Sequence, residues 1–185
     1  MKKILVAIAA AAIGVVANAA SVSWGIANVK APDGTTTASG YVAVLYLTAQ
    51  SSDFGGTVVD KASVVANIAT GNISGDYIAN TTLNANGGLL SVATGYNGAN
   101  FAAGDSLSAF TVVFNVTDMA DIGDATAFMV TDDKTVSFTS STGAKPFAFG
   151  NQSAATWQAI AVPEPTSGLL MLVGLAGLAL RRRRA

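Results

Sequence analysis

Tyr41-Val42-Ala43-Val44-Leu45-Tyr46-Leu47 (residues 41–47) is apolar at every position, so it offers water no face of period 2 or of period 3.6. Seven residues rich in β-branched and aromatic side chains are short for a buried helix. They suit a central strand covered on both faces. Such a strand needs partners along its edges and layers above and below, and the neighbouring chain supplies candidates. Short segments rich in Val, Phe, Tyr, Thr and Ile recur between clusters of Gly, Asn, Asp and Ser. They span Ser21–Ala27, Tyr41–Thr48, Tyr77–Leu83, Leu89–Thr94, Leu107–Thr117, Ala125–Thr131, Thr135–Thr139 and Thr156–Val162. About eight strands predict an all-β fold, a two-sheet β-sandwich.

Within Leu107–Thr117, Phe110, Val112, Phe114 and Val116 share one face, with Thr111, Asn115 and Thr117 opposite, which predicts a half-buried strand. Between Thr57 and Thr70 the period changes: Val58, Ala62, Val65 and Ala69 fall at helical spacing, predicting one short amphipathic helix stopped at Gly71. Asn86-Gly87-Gly88 reads as a turn between adjacent strands.

Charge is distributed unevenly along the 185 residues. Between residues 20 and 162 there are four lysines (Lys30, Lys61, Lys134, Lys145) against ten aspartates, a net of −6. An acidic passenger disfavours nucleic acid as a partner. The chain has no cysteine and no histidine. This excludes disulfides, thiolate metal sites and the imidazole-based hydrolase triads, and no cofactor is expected.

Three sets of residues still invite a chemical reading. Asp118, Asp121 and Asp124, with Asp132 and Asp133 beyond, are a carboxylate cluster of the kind calcium prefers, but the spacing fails the EF-hand pattern. A solvated loop between strands is the favoured reading there. Paired aspartates could serve an aspartate-dependent hydrolase, yet the sequence selects no pair and the passenger holds no Arg or Glu to help one. Trp24 and Trp157 sit in predicted strands near the two ends of the passenger and could stack on sugar rings. A core tryptophan is the favoured alternative.

The two ends differ from the middle. Met1-Lys2-Lys3 is a basic start, Ile4 to Val16 is an apolar run, and Ala17-Asn18-Ala19 places small residues at Ala17 and Ala19, as signal peptidase requires. Residues 1–19 are therefore expected to be a removable signal peptide, leaving a passenger over residues 20–162. At the other end, Pro163-Glu164-Pro165 is a stiff break that neither helix nor central strand accepts. An apolar stretch follows with Leu169, Leu170, Leu172, Leu175, Leu178 and Leu180, and then Arg181, Arg182, Arg183 and Arg184. As a helix, residues 166–180 rise about 22 Å, short of a hydrocarbon core of about 30 Å, a gap that local thinning and snorkelling arginines can close. The arginines are expected to stay cytoplasmic and hold the passenger outside.

In its three-part order, residues 163–185 resemble the PEP-CTERM sorting domain. The resemblance implies recognition by an exosortase, a membrane cysteine protease-transpeptidase, with cleavage near the motif. It also implies transient inner-membrane anchoring followed by delivery to the cell surface or extracellular matrix, often alongside exopolysaccharide. The order YVAVLYL, helix, AFTVVF and a final WQAIAV running into the motif is similar to small β-rich passengers that carry this tag, which implies architecture and no chemistry. The expectation is a non-enzymatic, structural or matrix-associated surface protein, with a carbohydrate-binding module as the alternative.

Overall fold

The computed structural model describes residues 21–51, 56–73, 75–94, 104–137 and 147–161. In chain order these form β1 (Ser21–Ala27), β2 (Val42–Gln50), α1 (Lys61–Ala69), β3 (Ala79–Thr82), β4 (Leu89–Thr94) and β5 (Ser106–Phe114). A 3-10 helix (Met119–Asp124) follows, then β6 (Ala127–Val130), β7 (Lys134–Ser137), β8 (Phe147–Asn151) and β9 (Trp157–Ala159). One sheet has the order β4-β1-β8; the other runs β3-β2-β5-β6-β9, with β7 also paired to β5. The fold is all-β in class.

β2 behaves as its composition dictates. Ala43, Leu45 and Leu47 enter a cluster with Trp24, Ile26, Phe147 and Phe149 of the three-stranded sheet, so this cluster is the core between the sheets. Val42, Val44 and Tyr46 point the other way, into a second cluster with Val64 and Ile68 of α1. All six residues from Val42 to Leu47 are 1% exposed or less. Tyr46 stacks on Phe110 of β5 at 5.3 Å between ring centroids and meets Tyr77 edge-on at 6.4 Å, each pair adding about 0.5–1.5 kcal/mol beyond area burial. Burial pushes the Tyr46 phenol up to about 12, so it stays neutral.

β5 corrects the half-buried expectation. Phe110, Val112 and Phe114 face the helix layer as read, but Thr111 and Val113 opposite them are also fully buried. The second sheet lies against that face, and a polar Thr within a strand does not by itself announce water. Opposite β5, β6 and β7 run as one interrupted strand. β6 pairs 128–130 with 112–114, β7 pairs 134–137 with 106–109, and Thr131–Asp133 oppose Phe110 and Thr111 with one residue to spare, a bulge.

α1 is capped at both ends. Asp60 accepts the Ser63 N–H at 2.8 Å and the Ser63 hydroxyl at 2.7 Å, which fixes the start. At the other end Gly71 N–H donates to Ile68 O at 2.9 Å and Asn72 N–H to Asn67 O at 2.9 Å, the paired bonds of a Schellman stop. Gly71, at φ +81°, is the stop the sequence indicated. The buried face is not the one expected. Val58 lies before the cap in extended chain bridged to Leu47, and the helix instead buries Val64 and Ile68, leaving Ala62 exposed.

Asn86-Gly87-Gly88 does turn the chain, but β3 and β4 belong to different sheets, so the turn passes between layers and closes no hairpin. Its geometry is set by Asn84, whose Oδ1 accepts from the N–H groups of Asn86 and Gly88 at 2.9 and 3.1 Å. A strand the sequence reading lacked, β8, lies parallel to β1, with Phe147 and Phe149 buried and Ala148 and Gly150 exposed.

Candidate functional site

The C-terminal end of the fold is built by β9 and the two residues after it. Ala159, Gln158 and Trp157 pair with Ala127, Phe128 and Met129 of β6. Ile160 then donates its N–H to Thr126 O at 2.9 Å and is only 7% exposed within the cluster beneath α1. Ala161 donates to the carbonyl of Ala69, the last residue of α1, at 2.8 Å. Gly71 lies alongside: a Cβ there would just touch Ala161 O at 3.4 Å, so it is the φ of +81° and not the space that favours glycine. A cleft of about 230 Å³ lies beside the exit, lined by Gly71, Gly123, Asp124, Ala125, Thr126, Ile160 and Ala161.

The two tryptophans have different fates, and neither offers a free ring. Trp24 is completely buried between the sheets, with its Nε1–H unpartnered among the described residues, so it is withdrawn as a sugar platform. Trp157 is half-buried; its Nε1–H donates to Lys30 O at 2.7 Å and its ring meets Tyr41 edge-on at 5.9 Å. It ties β9 to the segment following β1.

Asp118, Asp121 and Asp124 are exposed in the connection between β5 and β6, as the solvated inter-strand reading expects, although that connection is coiled as a helix. They lie along the 3-10 helix, whose three residues per turn explain their spacing: Met119, Ile122 and Ala125 turn inward while the aspartates turn out. Asp118 is occupied in capping, accepting the Ala120 N–H at 2.9 Å. Among the described residues no group of three or more acidic side chains converges as a cation site would require.

A shallow polar cleft of about 480 Å³, which the sequence reading missed, is lined by Asn28, Val29, Lys30, Thr37, Asn86 and Ser153. It forms where the end of β1 meets the Asn84–Gly88 turn and the Lys30–Thr37 bridge. Asn28 sits there at φ +55°, alone among the described non-glycine residues in taking a positive φ. The adjoining loop is closed by Asp33, which accepts from the Thr36 hydroxyl and the N–H groups of Thr35 and Thr36. Those bonds, the Thr36 hydroxyl first, lower the Asp33 carboxyl to about 2. The run of amides from Asn84 to Gly88 was the available signal, but only the fold brings it beside Asn28 and Lys30.

The expected signal-cleavage residues Ala17 and Ala19, the motif Pro163, Glu164 and Pro165, the leucines Leu169, Leu170, Leu172, Leu175, Leu178 and Leu180, and the basic stop Arg181–Arg184 lie outside the described residues. Among those described, no helix is long and apolar enough to cross a membrane. Compared with known families, residues 161–184 match the PEP-CTERM protein-sorting motif. No curated protein matches the chain. The motif supports an exported, exosortase-sorted protein and implies association with the membrane.

Proposed function

We propose that this chain is a surface or extracellular-matrix protein: an acidic β-sandwich passenger, residues 20–162, exported behind a signal peptide of residues 1–19. On this reading the apolar helix after Pro165 holds it briefly in the inner membrane until an exosortase cuts near Pro163-Glu164-Pro165. The match of residues 161–184 to the sorting motif carries the proposal. The order of the termini supports it, since lysines precede one apolar run and arginines follow the other. The passenger's role is structural rather than catalytic, in keeping with a chain that has neither His nor Cys to activate a nucleophile. Expression in a host without the sorting enzyme tests this directly. Protein that has lost residues 1–19 but keeps its C-terminal tag, in the membrane fraction, is the expected result, and full-length protein free in the cytosol contradicts it.

A second reading, glycan binding, is favoured by the polar cleft rather than by Trp24. Asn28, Lys30, Thr37, Asn86 and Ser153 present amides, hydroxyls and a cation, groups suited to a hydroxylated and partly anionic polymer such as exopolysaccharide. Titration with polysaccharide from the native cell, followed by Trp157 fluorescence, tests it. Binding that Asn28→Ala and Asn86→Ala weaken supports the reading, and no binding ends it.

A further inference from the structure

Ile160 and Ala161, the last of the described residues, are tied into the fold, and the sorting motif begins at residue 161. Pro163 follows two residues later, so at most about 7 Å of extended backbone separates it from Ala161. Enzymes that cut peptides commonly hold the chain extended and bond to its main-chain N–H and C=O groups by strand addition. Here the groups ahead of Pro163 are already in use. Trp157–Ala159 is laddered to β6, Ile160 N–H is on Thr126 O, and Ala161 N–H is on Ala69 O. Side chains reinforce the hold, through the buried Ile160 and the Trp157 indole on Lys30 O.

We infer that Trp157–Ala161 is a clasp that must release before a processing enzyme can grip the chain ahead of Pro163. The stability of this terminal segment then sets how fast the tag is removed. The inference rests on the proposed processing of the tag. The clasp is built to open without unfolding the passenger: β9 has three residues, it is the last strand in the order of its sheet, and Gln158 and Ala159 are exposed. Short terminal segments of this kind belong to the least stable parts of a fold. What resists opening is the short ladder to β6, the Trp157 indole on Lys30 O, Ile160 in its pocket and the two bonds to Thr126 and Ala69.

The test compares the full chain with a variant carrying six Gly/Ser residues between Ala161 and Val162, in a host that has the sorting enzyme. The insertion leaves the clasp intact and the distance from Pro163 to the apolar run unchanged, but gives the enzyme free chain to hold. Pulse-chase should show the insertion variant trimmed about tenfold faster, and Ile160→Ala should accelerate trimming in the uninserted chain. Equal rates for parent and insertion variant overturn the clasp while leaving tag processing intact. Slower trimming of the insertion variant overturns it too, as it would mean the enzyme docks on the folded passenger. Failure to trim either chain overturns the processing proposal and the clasp together.

Discussion

Thr131 and Thr111 face each other across the bulge between β5 and the β6–β7 strand, and they bond in an unusual way. Thr131 N–H donates to Thr111 O at 2.9 Å, but the return bond from Thr111 N–H goes to the Thr131 hydroxyl at 2.9 Å. The Thr131 carbonyl is thereby free to accept from Lys61 Nζ at 2.9 Å, and Lys61 also pairs with Asp133 at 3.1 Å and lies 5.4 Å from the centre of the Phe110 ring. The bulge thus fastens the start of α1 to the sheet beneath it.

Opposite outcomes are expected for one substitution at the two threonines. The Thr111 hydroxyl is buried without a partner among the described residues, so Thr111→Val removes an unsatisfied oxygen and should stabilise by about 1 kcal/mol. Thr131→Val orphans the buried Thr111 N–H and should destabilise by about 1–3 kcal/mol. Urea unfolding of both variants decides, and equal shifts would contradict the bonding described.

Lys61→Met should cost about 1 kcal/mol, through loss of the bond to the Thr131 carbonyl. Asp133→Asn should cost less, because that carboxylate side chain is 49% exposed and exposed pairs contribute roughly 0–1 kcal/mol. If high salt erased the Lys61→Met effect, the ion pair and not the carbonyl would be the fastening.

Gly87→Ala should be among the more damaging single changes in a turn, because Gly87 is buried. Gly87 has φ +66°, and a Cβ there would stand 2.4 Å from Val29 O, a backbone atom that cannot swing aside. The turn and the segment through Val29 that follows β1 must separate, breaking the 2.8 Å bond from Val29 N–H to Gly87 O, at about 2 kcal/mol or more. Gly34→Ala, where no atom lies within 4 Å but φ is +72°, isolates the backbone cost alone and should be milder.

Acid should weaken the fold through Asp33 and Asp60. Both carboxyls are held below their ordinary range, Asp33 to about 2 by Thr36 and Thr35, and Asp60 by the Ser63 hydroxyl and N–H. Folded values below unfolded ones mean that the unfolded chain binds protons first. The contribution is complete above about pH 4, the unfolded carboxylate value, and is lost as pH falls towards 2. Thermal melts of Asp33→Asn and Asp60→Asn between pH 2 and 6 should lie below the parent at pH 6 and converge with it in acid.

Much of this was legible from local composition. The all-apolar run through Leu47 gave the central strand, and Gly71 gave the helix stop. β8 went unread although Phe147-Ala148-Phe149 alternates, because five residues beside Lys145-Pro146 earn their place only by pairing with distant β1. The expected register of α1 was off because Asp60, not the apolar spacing, decides where the helix begins. Thr111 looked like a solvent-facing residue because only the second sheet, far away in sequence, buries it. The aspartate spacing was a true signal, yet its cause is the three-residue turn of a 3-10 helix whose Met119 and Ile122 pack, partly buried, against the core.

The central claim concerns what the cell does to the two ends, and an intact mass of the natural product from its own cells measures both at once. The account predicts a species that has lost residues 1–19 and has been cut near Pro163-Glu164-Pro165, so that Arg181–Arg184 are gone. A soluble natural product still carrying those four arginines would contradict it.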